Sequence, residues 1–598
     1  MTEQELAKKR QKLNELMRSE CYNDADILCQ DLWNELHKEQ GDNKSLQELF
    51  SYLAQINAVL VVETSTRSRV QHALDRLQET EECAYSVFLK ARLLWMDKQS
   101  FASMVLMEMY FQACVENGHV VFAENSPYFS ADSDTQERIL NLFGQIYKVF
   151  CLPEAGANCN LAASRVVKDF FLKLLEYSNF LFDAHYLFMP PEEYLRIHLG
   201  YGELFSEQQE FMPSRLFKHK KFIHRNHKKL RIGYLSPDLR HHVVLLFIWA
   251  MFTQYDRSEF EVYCFSCSPV EDRYSEYIKE QVDGWCNVSG MDARHGAQAI
   301  YDREIDILVE LAGHSQNNGL PIMAYKPAPV QVCGIGYFAT TGLGTVDYFL
   351  SDSYLAGNKL PLAEAEIASS EYFVEKLLVL PHSHFCYVPL QDMPAPRETP
   401  CKKNGYVTFG SFNNLTKVND TVLEVWAGIL HHVPGSRLLL KGKLFDEEMG
   451  RELFRYKLEA LGVPQERVEL RGFSMPYLTE YYEMDIALDT FPYPGGGTTC
   501  DALYMGVPVV TLGDGSHGGN FGVSLLKNVG LDFCCAYDYE EYMEKAVALA
   551  SDFELLDALH LGLRNMMAAS PVMDKEGYMQ GLEQGYKKIW QQYMAGGK

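Results

Sequence analysis

No stretch of the 598 residues approaches the roughly 18 consecutive apolar side chains of a membrane-crossing helix. The N-terminal MTEQELAKKRQKLNELM reads as a polar amphipathic helix rather than a secretory leader. Positive charge is scarce: 55 Lys and Arg face 80 Asp and Glu, a net charge of −25. A molecule this acidic repels nucleic acid and anionic membranes, so a nucleic-acid partner is not expected. The 15 cysteines show no disulfide framework. Their one CxxC, Cys264 to Cys267, lacks the second pair or nearby histidine of a zinc site, and it ends a strand pattern instead of opening a helix as a redox pair would. It is read as incidental, and a reducing cytoplasm is the expected compartment.

What is present is globular. Apolar residues make up 47% and aromatic residues 13% of a chain long enough for three or four folding units. From Glu5 to about Tyr201 apolar residues recur at three- and four-residue spacing, as in Leu46, Leu49, Phe50 and Leu53, which predicts an all-α region. Within it, Leu142 to Ala163 places Gly144, Tyr147 and Ala163 where a tetratricopeptide (TPR) helix pair places its small and aromatic packing residues, without a clean repeat of about 34 residues elsewhere. A TPR-like layer and a plain helical bundle both fit. Residues 215–229 form a basic linker, read as a solvated or interface-docking segment, with nucleic-acid binding as the minor alternative.

At Leu230 the pattern changes to short buried strands alternating with helices. Leu230–Leu235, Glu261–Phe265, Asp306–Leu311, Val330–Ile335 and Asp347–Leu350 predict one Rossmann-like domain over 230–388. After a proline-rich link at 389–404 the same grammar returns over 405–570, in Tyr406–Phe409, Arg437–Leu440, Val468–Leu470, Asp485–Leu488 and Val507–Thr511. A helix at 571–598 closes the chain. The expected class is therefore α/β, two Rossmann-like domains preceded by an all-α, TPR-like domain over 1–214. A cleft between the carboxyl ends of their strands is where such sheets bind ligands.

The stretch MDIALDTFPYPGGGTTCDALYMGVPVVTLG, 484–513, is the most informative. A strand ends at Asp489, a Pro/Gly turn follows through Gly497, and a helix starts at Thr498-Thr499. Glycine lets a ligand approach the backbone, and the first N–H groups of the helix favour a phosphate. An ordinary βαβ unit with a glycine-rich loop would read the same way.

Five motifs in order, LRIGYLSPDLRHHVV (230–244), ILVELAGHSQNN (307–318), KPAPVQVCGIGYFATTGLGTVDYFLSD (326–352), FGSFNNLTKVND (409–420) and DIALDTFPYPGGGTTCDALYMGVPVVTL (485–512), resemble the catalytic region of the protein O-linked N-acetylglucosamine transferase/SPINDLY family. The resemblance implies a GT-B arrangement and an inverting, metal-independent transfer of a sugar, UDP-GlcNAc foremost, to protein hydroxyls, with no bound cofactor. It assigns Lys417 to the diphosphate, Asn414 to the nucleotide or the turn, Gly497, Thr498 and Thr499 to the helix start, Asp501 to the ribose and Tyr477 to the base. His242 and His314 become cleft histidines, His242 the candidate base, and Thr340 lies on the loop that borders the sugar. The helical domain would select protein acceptors. This chain departs from the family at Val243, where proline or serine is usual, at Phe338-Ala339, and at Asn520, where many relatives carry a basic residue; either His517 substitutes for it or the loop only turns the chain. UDP-glucose transfer to asparagine, GDP-fucose transfer to Ser or Thr, and a scaffold without turnover are the alternatives.

Overall fold

The computed structural model describes residues 3–36, 44–219 and 227–596, so the central part of the basic linker lies outside the described residues. The chain forms two compact units, residues 1–173 with 446–449 and residues 174–445 with 450–598. The first is helical, as expected, apart from one antiparallel hairpin of β1 (Ala113–Glu116) and β2 (His119–Phe122). The suspected helix pair exists: Ser133–Val149, started by Asp132 capping Thr135 N at 2.9 Å, and Pro153–Val166, with proline in its first turn. A Cβ on Gly156 would stand 3.0 Å from Gly144 O, and one on Gly144 would stand 2.9 Å from Asn160 Oδ1. The two glycines let the helices approach at backbone distance.

The second unit carries two parallel sheets. In the first, β3 (Leu230–Ser236), β4 (Phe260–Ser266), β5 (Gly284–Asn287), β6 (Ile307–Glu310), β7 (Val330–Cys333), β8 (Tyr348–Asp352), β9 (Glu366–Ala368) and β10 (Lys376–Leu380) lie in the order β5-β4-β3-β6-β7-β8-β10-β9, with only β9 antiparallel. In the second, β11 (Thr408–Ser411), β12 (Arg437–Lys441), β13 (Val468–Arg471), β14 (Ile486–Leu488), β15 (Val509–Leu512) and β16 (Cys535–Ala536) lie in the order β13-β12-β11-β14-β15-β16, all parallel. Both sheets contain the doubly wound order whose direction reverses between the first and fourth strands. Those switch points fall between β3 and β6 and between β11 and β14, and the loops leaving these four strands carry most of the candidate site residues.

The helical unit ends at Lys173 rather than at 214. The helix Pro191–Ser206 belongs to the α/β unit, where His198 Nε2 meets Tyr337 OH at 2.6 Å and a Cβ on Gly202 would collide with Gly342 O at 2.2 Å. The described part of the basic segment also docks there, with Phe217 N donating to Tyr325 O at 3.2 Å and His219 Nε2 lying 2.7 Å from Lys326 O. The last helix, Lys575–Met594, crosses back to the first sheet: Glu583 Oε1 accepts from Asp256 N at 2.7 Å and Tyr586 OH sits 3.4 Å from Tyr234 OH. Its Leu582 and Ile589 are fully buried.

Because this helix is held by apolar burial, Leu582→Ala should lower unfolding stability by about 2–4 kcal/mol. Denaturant unfolding checks it. A change below about 0.5 kcal/mol would mean that the helix is only laid on the surface.

Candidate active site

Asp489 ends β14 and organises the glycine turn. Its Oδ1 accepts from Gly495 N at 2.7 Å, Thr490 N at 3.0 Å and Asn413 Nδ2 at 3.2 Å, and its Oδ2 accepts from Thr511 Oγ1 at 2.8 Å. Burial still pushes this carboxyl up to about 6, against those hydrogen bonds and the pull of Lys417. The helix Gly497–Tyr504 then begins with Gly496 as N-cap and no side chain bonded to its first N–H groups. Thr498 does not cap it: its Oγ1 donates to Asn413 Oδ1 at 2.8 Å, and Thr499 is buried beside it. A Cβ on Gly495 would stand 2.5 Å from Thr499 Oγ1 and 2.6 Å from Thr498 Oγ1. The turn thus presents uncapped N–H groups to the cleft, the arrangement that receives an anion.

Lys417, on the loop after β11, reaches this turn. Its Nζ donates to Pro494 O at 2.8 Å and lies 3.7 Å above the Tyr493 ring centroid. Burial pulls the ammonium down to about 8, while Asp489 pulls it back up. Asn414 has a local task, its Oδ1 accepting from Thr416 N at 3.2 Å to start the short turn that places Lys417.

Asp501, one turn into the helix, is 5% exposed. Tyr387 OH donates to its Oδ1 at 2.7 Å and Tyr477 OH to its Oδ2 at 2.5 Å, so Tyr477 and Asp501 do come together. Burial raises this carboxyl and the two phenols lower it.

From the first domain, His242 follows β3. Its Nδ1 lies 3.2 Å from Asp238 Oδ1 and 3.3 Å from Val244 N. Partial burial lowers the imidazole, and the Asp238 carboxylate opposes that shift. The ring is therefore neutral near pH 7, the form that accepts a proton. Across the cleft, a Cβ on Gly497 would stand 2.6 Å from Val243 Cγ2, which puts the His242 loop directly against the helix start. Serine or proline is not needed at 243 for that contact.

Two expected residues are placed differently. His314 is 1% exposed, with Nδ1 at 3.0 Å from Ser178 Oγ and Nε2 at 3.0 Å from Thr341 O. Both nitrogens are occupied inside the core, so His314 supports the fold and is not a cleft base. Thr340 turns its hydroxyl to the buried Glu375 at 2.6 Å rather than to a sugar. Nor does His517 replace a missing cation: Nδ1 lies 3.1 Å from Phe338 O, Nε2 lies 3.1 Å from Ser351 Oγ, and burial pulls the ring down to about 3. Asn520 accepts from Gly515 N at 3.3 Å and shapes the loop. Cys264 and Cys267 are thiols that burial pushes up, and no group of metal-ligating side chains occurs among the described residues. Asn413 and Tyr387 were not singled out from the sequence, and Asp489, read as the acidic end of its strand before the glycine turn, and Asp238, in the SPD motif, were given no role in the site.

Two facing Rossmann-like domains with an anion cradle at the switch point define the class of GT-B glycosyltransferases. The profile of glycosyl transferase family 41 matches residues 184–395 and 397–582, and the chain belongs to that family. An Arabidopsis thaliana protein named "Probable UDP-N-acetylglucosamine–peptide N-acetylglucosaminyltransferase SPINDLY" is 42% identical over 376 residues, covering 62% of this chain and 40% of its own. The Arabidopsis thaliana relative with the same enzyme name and the suffix SEC is 31% identical over 382 residues, covering 62% of this chain and 38% of its own. The chain thus matches about two-fifths of the length of these relatives. A mutant of the Thermobaculum terrenum O-GlcNAc transferase superposes with a TM-score of 0.74 at 25% identity, covering 100% of both chains. Among the described residues no helix is long and apolar enough to cross a membrane.

The buried imidazoles have a consequence for stability. Burial holds His185 at about 3, His198 at about 4 and His517 at about 3, whereas an unfolded histidine titrates near 6.5. Between pH 6.5 and about 4 the unfolded chain binds more protons, so stability falls as pH falls, by the order of 1–2 kcal/mol per imidazole at pH 5. Thermal unfolding at pH 7 and pH 5 should show the loss, and His517→Gln should flatten it. Equal stability at both values would contradict the neutral assignment.

Proposed function

We propose that the chain is an inverting, metal-independent protein glycosyltransferase that moves a sugar from a nucleoside diphosphate donor to Ser and Thr hydroxyls of protein acceptors, which its helical domain selects. UDP-GlcNAc is the donor in the first reading, in keeping with the names of the relatives. One observation carries it: the uncapped helix start at Gly496–Thr499 has Lys417 at its turn and the His242 loop in contact at Gly497.

In this reading the diphosphate sits on the N–H groups of the turn with Lys417 beside it. The acceptor oxygen attacks the anomeric carbon as the bond from sugar to phosphate breaks, and the leaving diphosphate keeps the electron pair and gains a negative charge. Fixed donors and one cation stabilise that charge. His242 takes the hydroxyl proton on Nε2, in the tautomer whose Nδ1–H points to Asp238 rather than accepting from Val244 N. Asp501 accepts the ribose hydroxyls once a tyrosine hydroxyl yields its place, and Tyr477 stacks on the base. The departure at Phe338-Ala339, on the loop bordering the sugar, favours a second reading in which GDP-fucose or UDP-glucose is the donor, so a donor panel belongs in the first assay.

Lys417→Ala should reduce transfer by about 10²–10³-fold, the loss typical of one stabilising donor at a developing charge; full activity would refute the electrostatic assignment. UDP affinity should also fall as pH rises through about 8, where Lys417 loses its proton, by up to about tenfold per unit. Calorimetric titration at pH 7 and pH 9 measures this. Lys417→Arg keeps the charge and should remove the dependence, whereas a wild-type affinity equal at both values would exclude the cation from the site.

A further inference from the structure

A cavity of about 430 Å³ lies beside the cradle and shares none of its residues. Phe338 is the partition. Its ring packs 5.0 Å from that of Tyr493, the ring under Lys417, and it also forms a wall of the cavity. The cavity is also lined by Ala368 at the end of β9 and the residues that follow it to Phe373, by Leu355 and Ala356 after β8, and by His517 and His185. We propose that this cavity is a second binding site, for a neutral saccharide ring.

Three observations set the ligand class. The volume lies within the range of small-ligand sites, about 300–1,000 Å³. Phe338, Phe373 and Tyr194 are half-buried in the lining, so part of each ring is open to the CH groups of a sugar. No lysine or arginine lines the cavity among the described residues, which disfavours phosphates and carboxylates beside a neutral ligand, while Glu371 and the Ser369, Ser370 and Ser516 hydroxyls suit a polyol. Phe338 and Ala339 also belong to the loop that borders the donor sugar in the proposed function, so the test saturates the cradle with UDP and blocks the cavity from its far side at Ala356.

The test is saturation-transfer NMR on the full chain with methyl glycosides of glucose, N-acetylglucosamine and fucose at millimolar concentration, with UDP saturating the cradle. At least one glycoside should show transfer under UDP, and Ala356→Phe, which fills the cavity, should abolish it while leaving UDP affinity unchanged. Glu371→Ala, at the exposed rim, should weaken the same glycoside at least fivefold and keeps the test open if Ala356→Phe does not fold. No transfer from any glycoside, or transfer that survives both substitutions, would overturn the proposal. Binding of a phenylalanine-containing peptide in place of every glycoside would overturn it as well, by reassigning the cavity to an acceptor side chain.

Discussion

The site depends on one buried carboxylate. Asp489 closes β14 and gathers Gly495 N, Thr490 N, Asn413 and Thr511 around its two oxygens. Those bonds fix the turn, the next helix starts on Gly496, which has no side chain to cap it, and Asn413 Oδ1 in turn accepts from Thr498 Oγ1. A carboxylate at the strand end would ordinarily repel a phosphate. Burial beneath the turn, with every bond directed inward, converts it from a competitor for the anion into the brace of the anion's cradle. Lys417 reaches the same turn at Pro494 O and over the Tyr493 ring, near enough for Asp489 to oppose the lowering of its ammonium by burial.

The rest of the molecule brings a second surface up to that cradle. The His242 loop meets it at Gly497, where only a hydrogen fits against Val243. Elsewhere the two domains are joined by Ser524 Oγ donating to Asp352 Oδ2 at 2.8 Å and by His517 against Ser351. The last helix leaves the second domain and packs on the first sheet through Leu582, Tyr586 and Ile589. The aromatic layer of Tyr493, Phe338 and Phe521 seals the space between the cradle and the neighbouring cavity.

Much of this was legible in the sequence, because strand and turn grammar is local. Ten of the strands were marked by short apolar runs, and the glycine turn announced its helix. Six strands were missed: β1 and β2 form a hairpin inside the helical region, β5 is half-buried along its whole length, β9 is an edge of three residues and β16 has two, whereas β10 is a buried apolar run, KLLVL, that the reading passed over. The boundary at Lys173 was invisible because an amphipathic helix looks alike whether it packs on helices or on a sheet. His314 was misplaced for a related reason. Its partner Ser178 is 136 residues away, and no spacing in LAGH reveals that both ring nitrogens are taken inside the core. The pairing of Asp501 with two tyrosine hydroxyls likewise joins residues 114 and 24 positions apart.

The most direct measurement is UDP titration of Gly495→Ala by calorimetry, beside its unfolding curve. The added methyl would push Thr498 and Thr499 out of the turn while leaving every charge in place. If the backbone shape held by Asp489 creates the site, UDP affinity falls at least tenfold, about 1.4 kcal/mol, in a protein that still folds. An unchanged affinity in that folded variant would contradict the claim that this turn receives the diphosphate.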